Sequence, residues 1–202
     1  MNILKMEELD INFIVDSLKN GKTLVYPTET CYGLGADALN EKAVEKIFKI
    51  KQRQENKSLL ILVSDLSMII DKIDWNEKLN YLAEKYWPGP LTLVATVKKD
   101  IFPRGVVSED DTIAFRVSSH PLTIDLCQKL GGPIISTSAN LSSTQNPYSI
   151  KEIEDMFANK VDQPDLIIDA GELVSHSPST IASVQDGKIK ILRQGELFIE
   201  EL

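Results

Sequence analysis

Four groups of polar side chains follow strand-like or helix-like stretches of the sequence, and these are the residues that could do chemistry. Two of the groups contain cations and three contain hydroxyl groups. An arginine can hold a phosphate through two N–H groups, a lysine adds a point charge, and hydroxyl and amide groups donate neutral hydrogen bonds. This combination is typical of a site for a phosphate or a carboxylate. The groups are Thr28–Thr30; Lys51, Arg53 and Lys57; Ser136, Ser138 and Asn140; and Ser179 and Thr180 with Arg193, with Thr112 and Arg116 on a strand between them.

Each group also has a plain structural explanation. Basic residues at the C-terminus of a helix favour the helix dipole, Ser and Asn cap backbone groups where a strand ends, and a loop such as 28–35 can simply connect two elements. Against this, Lys51, Arg53 and Lys57 place three positive charges within seven residues. Such crowding is unfavourable unless an anion lies between the charges, so we favour an anion-binding site.

Nucleophiles and metal ligands are less strongly indicated. Cys31 lies in the first polar loop, but no His or Asp stands at a suggestive distance from it, so we expect a packing residue. His120 and His176 show no partner spacing and are expected at the surface or at caps. The two cysteines, Cys31 and Cys127, have neither a metal nor a disulfide spacing. We therefore expect no metal site built by the protein, and a reducing compartment.

Common nucleotide-binding motifs do not account for the sequence. It has no G-x-x-x-x-G-K-[ST] phosphate-binding loop. Residues 33–38 match G-x-G-x-x-A, but a Rossmann fold needs an acid for the ribose about twenty residues further on. Lys51 and Arg53 lie there instead, so we reject the match.

The elements that would position these groups alternate between strands and helices. Pro27 ends a strand at 24–26, and a polar loop and a helix at 41–50 follow. Ligands of α/β proteins usually bind at such loops. With about seven strands, helical crossovers and a hairpin at Asp186-Gly187, the pattern predicts an α/β fold with a mixed parallel and antiparallel sheet flanked by helices. The other predicted helices are 7–19, 65–73, 76–87, 121–130 and 149–157, and the other predicted strands are 59–63, 91–97, 112–117, 133–137, 166–169, 180–184 and 188–192.

Length and composition fit one soluble globular domain. The 202 residues predict a single domain over 1–202, and hydrophobic and charged contents of 43% and 26% are ordinary. The N-terminus shows no signal peptide and no apolar run is long enough to span a membrane, so we expect a cytoplasmic protein without a membrane partner. The net charge of −8 argues against a large nucleic-acid-binding surface.

Seven short motifs occur in one order from about residue 10 to residue 197. Together they resemble the Sua5/YrdC/YwlC family of threonylcarbamoyl-AMP synthases, in the short form that lacks the extra C-terminal domain of longer relatives. The motifs are YPTETCYGLG at 26–35, K-x-R at Lys51 and Arg53, PGPLT at 88–92, TIAFRV at 112–117, STSANLS at 136–142, PSTI at 178–181 and ILRQG at 191–195.

The resemblance implies a twisted α/β sheet around a concave, positively charged cavity, and a nucleotidyl transfer. L-Threonine and bicarbonate give a carbamate whose oxygen attacks the α-phosphorus of ATP; pyrophosphate leaves and threonylcarbamoyl-adenylate remains. Mg²⁺ is expected to accompany ATP. A separate threonylcarbamoyl transferase complex then modifies adenosine 37 of tRNA. The resemblance is also compatible with a weak contact between this protein and tRNA.

The resemblance also implies residue roles. The family signature falls on Lys51, Arg53, Ser138 and Asn140, which are the implied catalytic residues. The implied ATP-binding residues are Arg53, Lys57, Thr112, Ser138, Asn146 and Arg193. The implied residues for threonine or its carbamate are Thr30, Arg116, Ser136 and Ser179.

Five positions depart from the family pattern. Gln52 and Ser143 stand where relatives commonly have glycine, and Gln54 and Ser58 stand where they often have proline. Leu62 replaces a polar residue, often histidine, and this bears on one contact with threonine.

Two other functions have to be weighed. An RNA-binding or regulatory protein could use the same cavity for a structured RNA, although the net charge of −8 and the lack of an aromatic platform count against it. A carbamoyl-transfer module of the hydrogenase-maturation type is the second alternative. Those modules belong to much longer chains with zinc-finger-like cysteine pairs, and this sequence has none.

Overall fold

The computed structural model describes residues 1–54, 56–98 and 101–200, and in these ranges eleven strands form two mixed β-sheets. The predicted α/β fold is confirmed, but the strands lie in two sheets instead of one sheet of about seven. The five-stranded sheet has the order β1 (Asn2–Lys5), β9 (Leu166–Asp169), β2 (Leu24–Pro27), β3 (Tyr32–Gly35) and β8 (Thr137–Ser138). The six-stranded sheet has the order β11 (Lys188–Arg193), β10 (Thr180–Gln185), β5 (Leu91–Thr96), β6 (Thr112–Val117), β4 (Ile61–Val63) and β7 (Ile134–Ile135).

Side-chain caps define where the helices begin. Asp10 accepts hydrogen bonds from the backbone N–H groups of residues 12 and 13, and Ser149 forms the predicted capping box with Glu152. Pro121 opens the fourth helix and Gly131, with φ of 72°, ends it, as predicted. The helices are α1 (Ile11–Lys19), α2 (Glu41–Lys51), α3 (Glu77–Tyr86), α4 (Pro121–Leu130) and α5 (Ile150–Phe157). Within the described ranges, none of the helices is both long and apolar enough to cross a membrane.

Apolar runs without polar interruptions form strands that are covered on both faces. In β4, Ile61 and Val63 pack in one core cluster and Leu62 packs in the other, because successive side chains of a strand point to opposite faces. The first cluster joins both sheets with α2, α3 and α5, and the second lies under α1 and α4. Leu62 is fully buried in the second cluster.

Besides the strand predicted at 133–137, three predicted elements were wrong in their boundaries or type. The helix predicted from residue 7 begins at Ile11, because Met6–Glu8 form a 3₁₀ turn and Asp10 caps the helix. Residues 2–5 before that turn form β1, which pairs in parallel with β9. The helix predicted at 65–73 consists of two short 3₁₀ turns, Leu66–Met68 and Ile70–Lys72. The loop after β2 contains a further strand, β3, which pairs antiparallel with β2.

The strand predicted at 133–137 is two strands in different sheets. Ile134–Ile135 pairs with β4, whereas Thr137–Ser138 pairs with β3. Ser136 is the single residue between them, and its backbone N–H donates to the carbonyl oxygen of Leu60 at 2.8 Å. The chain therefore passes from the six-stranded to the five-stranded sheet at Ser136.

Candidate active site

A cavity of about 560 Å³ is lined by residues from both sheets. On β6, Thr112, Ala114 and Arg116 line it, while the alternate residues Ile113, Phe115 and Val117 belong to the core. The residues on its wall that the sequence predicted are Thr30, Arg53, Thr112, Arg116, Ser136, Ser138, Asn146, Ser179 and Arg193. Among the described residues, no Asp or Glu lines this cavity, whereas Arg53, Arg116 and Arg193 do. The wall is therefore positively charged.

A smaller pocket of about 360 Å³ shares Arg53 and Ser138 with this cavity. It brings in the remaining predicted residues, Lys51, Lys57 and Asn140. All twelve predicted site residues therefore line one of two neighbouring spaces. A larger cavity of about 700 Å³ has mixed charge, with Lys98, Arg104 and Glu109 on its wall, and holds none of the twelve.

Lys51 is buried at the C-terminus of α2, with 2% of its surface exposed. Its Nζ donates to the carbonyl oxygen of Ser138, to the carbonyl oxygen of Asn140 at 2.8 Å and to Asn140 Oδ1 at 3.0 Å. An ammonium group has three N–H donors, and these three acceptors account for all of them. Burial, with a smaller contribution from the charge of Arg53, lowers the pKa of Lys51 to about 7.

The turn that Lys51 contacts is held at several further points. Ser138 Oγ donates to Asn140 Oδ1 at 2.6 Å, and Asn140 Nδ2 donates to the carbonyl oxygen of Thr144 at 2.6 Å. The backbone N–H of Ser142 donates to the carbonyl oxygen of Lys51 at 2.9 Å. The end of β8 and the end of α2 are thus joined by side-chain and backbone hydrogen bonds.

Arg53 follows α2 and lies where the two spaces meet. Its Nε donates to the carbonyl oxygen of Lys57 at 2.9 Å and its Nη2 to that of Ser58 at 3.0 Å. A guanidinium has five N–H donors, so three form no hydrogen bond with any described residue. Burial lowers the pKa of Arg53, but an arginine stays charged at neutral pH.

Arg193 and Ser179 are held together on the six-stranded side of the cavity. Arg193 donates through Nη2 to the carbonyl oxygen of Ser179 at 2.7 Å and to its Oγ at 3.1 Å. Ser179 Oγ lies 2.9 Å from Thr92 Oγ1. Burial lowers the pKa of Arg193, and the positive charge of Arg116 lowers it further. The orientation of Arg193 is therefore fixed by the protein.

Arg116 is buried on β6 and has unused donors. Only 4% of the residue is exposed, and its Nε and Nη1 form no hydrogen bond with any described residue. Its Nη1 lies 3.1 Å from Glu29 Oε1, a close ion contact without hydrogen-bond alignment. A buried donor without a hydrogen bond is uncommon in folded proteins, and the charge of Glu29 beside Nη1 offsets its cost.

The first polar loop is shaped by its own hydroxyl groups. Thr28 Oγ1 donates to the carbonyl oxygen of Cys31 at 2.7 Å and accepts from the backbone N–H groups of Thr30 and Cys31. Both cysteines of the chain are buried free thiols, and burial raises the pKa of Cys31. This agrees with a packing role for Cys31, which also lies on the cavity wall.

Sequence reasoning did not assign Glu29 or Ser118 to the site. Glu29 contacts Arg116 without lining the cavity, and Ser118 donates to Glu29. The spacing could have indicated Ser118, because it lies two residues after Arg116 and side chains two apart in an extended segment point the same way. The departures are also explained in part: Leu62 points into the core and is absent from the cavity wall, and Gln52 and Ser143 have φ of 50° and 69°, where glycine is favoured.

Known proteins resemble this chain over nearly its full length. A Pyrococcus abyssi protein named threonylcarbamoyl-AMP synthase is 35% identical over 201 residues, which are 98% of this chain and 57% of that protein. A Methanocaldococcus jannaschii protein, to which the same activity is provisionally given, is 35% identical over 207 residues, with 99% of this chain and 96% of that protein covered. The crystal structure of P. abyssi Sua5 complexed with L-threonine superposes with a TM-score of 0.85, at 31% identity, over 96% of this chain and 57% of that one.

The chain thus spans 57% of the length of the Pyrococcus relative but nearly all of the Methanocaldococcus relative. The sequence model of the Sua5/YciO/YrdC family, described as "Telomere recombination", matches residues 16–195. This match, the two relatives and the shared fold lead to one conclusion: the chain belongs to the Sua5/YciO/YrdC family.

Proposed function

We propose that this protein is an ATP-dependent L-threonylcarbamoyladenylate synthase, a nucleotidyltransferase that serves the threonylcarbamoyl modification of tRNA. The observation that carries the proposal is a cavity with three arginines and no carboxylate on its described wall, in a chain 35% identical to a threonylcarbamoyl-AMP synthase. Threonine carboxylate, bicarbonate and the phosphates of ATP are all anions. A cavity of this charge can hold them together.

The threonine end of the site lies at Arg116. Arg116 lines the cavity from β6, and a planar guanidinium can contact both oxygens of the threonine carboxylate. The hydroxyl groups of Thr30, Ser136 and Ser179 on the same wall supply neutral hydrogen bonds to threonine or its carbamate. The P. abyssi Sua5 complex with L-threonine, in the same fold, supports threonine as a substrate of this site.

The ATP end of the site lies toward the smaller pocket. Arg53 borders both spaces, and the three N–H donors that it does not share with described residues suit phosphate oxygens. Lys57 in the smaller pocket adds a positive charge for the departing pyrophosphate, and Ser138 lies between the two spaces. The other residues assigned to ATP are Thr112, Asn146 and Arg193. Mg²⁺ enters with ATP as part of the substrate and neutralises phosphate charge.

The reaction needs positioned charges and no covalent intermediate. The carbamate oxygen attacks the α-phosphorus, a P–O bond forms, and the bond to the leaving pyrophosphate breaks. Negative charge grows on the phosphate oxygens, and fixed cations and donors lower the barrier because they need no reorganisation. Lys51 and Asn140 contribute by holding the turn that carries Ser138.

The product is a mixed anhydride and needs a consumer. A separate threonylcarbamoyl transferase complex fills that role, and a weak contact of this protein with tRNA would assist delivery. The alternative, an RNA-binding or regulatory protein without synthase activity, would use the same cavity for RNA phosphates. Its binding would weaken steeply with salt, whereas threonine and ATP are held by few charges.

The decisive test is pyrophosphate release from ATP, with threonine and bicarbonate each omitted in turn. The proposal requires release that depends on both. Release that needs neither would indicate a different nucleotide-cleaving activity. ATP binding without any release would favour the regulatory alternative.

A further inference from the structure

Glu29 contacts Arg116 but is not among the residues that line the cavity. Glu29 Oε1 is 3.1 Å from Arg116 Nη1, and the two side chains are 15% and 5% exposed. Glu29 is absent from the cavity wall, whereas Arg116 is part of it. A ligand in the cavity would therefore touch Arg116 and would not touch Glu29.

The carboxylate of Glu29 is itself held in place. Ser118 Oγ donates to Glu29 Oε2 at 2.8 Å, and the backbone N–H of His120 donates to Ser118 Oγ at 3.2 Å. His120 is the residue before α4, so this chain of contacts links Arg116 to the start of a helix. Ser118 is fully buried, which protects the chain from competition by water.

Arg116 needs a negatively charged partner because it is buried near another cation, Arg193. The positive charge of Arg193 is close enough for Arg116 to lower the pKa of Arg193. A buried guanidinium without a counter-charge would move toward solvent or toward another acceptor. The contact with Glu29 neutralises Arg116 but leaves the Nε and Nη1 hydrogens without a hydrogen bond. Both nitrogens have almost no exposed surface, so a ligand in the cavity would reach Arg116 through another part of the guanidinium.

We propose that Glu29 is a positioning residue that fixes the guanidinium of Arg116 for the carboxylate of the amino-acid substrate, with Ser118 holding Glu29. This inference rests on the proposed function, in which Arg116 binds threonine. It assigns Glu29 no contact with substrate and no proton transfer. Its larger effect is on threonine, because Arg116 binds threonine directly and influences ATP only through the charge of Arg193.

The first test is Glu29→Gln, which keeps the shape of the side chain and removes its charge. We expect the KM for threonine to rise by about 10- to 100-fold, the range for loss of a residue that orients a ligand-binding group. The affinity for ATP, measured without threonine, should change by less than roughly 3-fold. The matched control is Glu154→Gln on the exposed face of α5, for which neither value changes.

A second variant tests the inference if Glu29→Gln fails to fold. Ser118→Ala removes the hydroxyl that holds Glu29 Oε2 and leaves both charges in place. We expect a smaller rise in the KM for threonine, roughly 3- to 10-fold. A merely structural role would lower the melting temperature and affect threonine and ATP alike, so a selective effect on threonine identifies positioning.

Two outcomes would overturn the inference. An unchanged KM for threonine in folded Glu29→Gln and Ser118→Ala proteins would show that Arg116 needs no support. A lowered KM would show that Glu29 competes with the substrate for the guanidinium. Calorimetric titration of the unaltered protein with threonine separates this from the proposed function: absence of threonine binding there overturns the proposed function itself, whatever the variants do.

Discussion

Lys51 Nζ lies 3.0 Å from Asn140 Oδ1 and 2.8 Å from the carbonyl oxygen of the same residue. The last residue of α2 therefore fastens the turn after β8, and the carbonyl oxygen of Ser138 accepts the third ammonium hydrogen. A lysine in a cluster of cations is usually taken for a phosphate ligand. Here its donors are used within the protein, so its contribution to a phosphate site is the shape of the turn.

Lys51→Ala should abolish most pyrophosphate release while leaving the protein folded. Without the ammonium group, the turn loses three hydrogen bonds at once and Ser138 moves relative to Arg53. A displacement of about 1 Å of such groups can lower turnover by about 100-fold. Pyrophosphate release and thermal unfolding are measured on the same samples.

The matched control for Lys51 is Lys49→Ala, which removes an exposed lysine from the same helix end. It should release pyrophosphate at the normal rate. Normal turnover by a folded Lys51→Ala protein would show that Lys51 has no role in the reaction.

Gln52→Gly and Ser143→Gly should each stabilise the protein. Both residues have left-handed backbone conformations, with φ of 50° and 69°. That conformation strains an L-residue by about 1–2 kcal/mol, and glycine gives back part of the gain as conformational entropy of the unfolded chain. We expect a net gain of about 0.5–1 kcal/mol for each, or about 1–4 °C in Tm.

Gly131→Ala is the opposite control for these two substitutions. Its φ is 72° and an added Cβ would have no heavy atom within 4 Å, so only the backbone conformation opposes alanine. It should lower the stability by a similar amount. Unchanged or reduced stability of both glycine variants would mean that Gln52 and Ser143 make compensating contacts.

Gly105→Ala should be more destabilising than an ordinary change at a positive φ. Gly105 has φ of 91°, and an added Cβ would lie 2.4 Å from Phe48 Cε2. The backbone strain and the clash with a core side chain together should cost about 2–4 kcal/mol. Urea unfolding measures this loss.

Gly171→Ala isolates the backbone part of that loss, because Gly171 has φ of 77° with open space around it. The difference between the two variants is the cost of the clash. Equal losses would show that Phe48 moves aside without cost.

Asp165 should make the stability depend on pH in the acid range. Burial acts to raise the pKa of Asp165, but hydrogen bonds from Lys46 and Thr23 outweigh it and hold the pKa below the ordinary value of 3.8. A carboxyl whose pKa is lower in the folded state adds stability above its unfolded pKa, and this is lost as the pH falls through the folded pKa. The protein should lose stability as the pH falls below about 4.

Asp165→Asn removes that dependence. Its free energy of unfolding should be lower at neutral pH and should fall less steeply in acid than that of the unaltered protein. Urea unfolding at a series of pH values gives both slopes. Parallel slopes would contradict the assignment.

The sequence predicted correctly the helices whose first and last residues have local start and stop signals. The helix α4 was correct to the residue because proline starts it and Gly131 ends it, and α5 was correct because Ser149 and Glu152 form a capping box. The strand β1 was missed because its partner, β9, lies more than 160 residues away. No pattern in the sequence near residues 2–5 indicates that pairing. Hydroxyl and cationic residues at strand ends indicated the site, and their order matched a known family.

Contacts between distant residues could not be predicted in the same way. The burial of Lys51 against Asn140, and the contact of Glu29 with Arg116, depend on how the two sheets and α2 meet. Neither residue type nor spacing shows which charged side chain will pair with which acceptor in the folded protein. The residues of the site were therefore accessible from the sequence, while the division between ligand-binding and supporting residues was not.

The passage of the chain between sheets at Ser136 has a consequence for how ligands act on the protein. The cavity is complete only while both sheets are docked, since Thr30 and Ser138 come from one side and Arg116 and Arg193 from the other. A ligand that contacts both sides works as a brace, because mass action favours the docked form over any form in which the sheets separate. Substrate would then slow amide hydrogen exchange in both sheets together, and the segment around Ser136 would couple them.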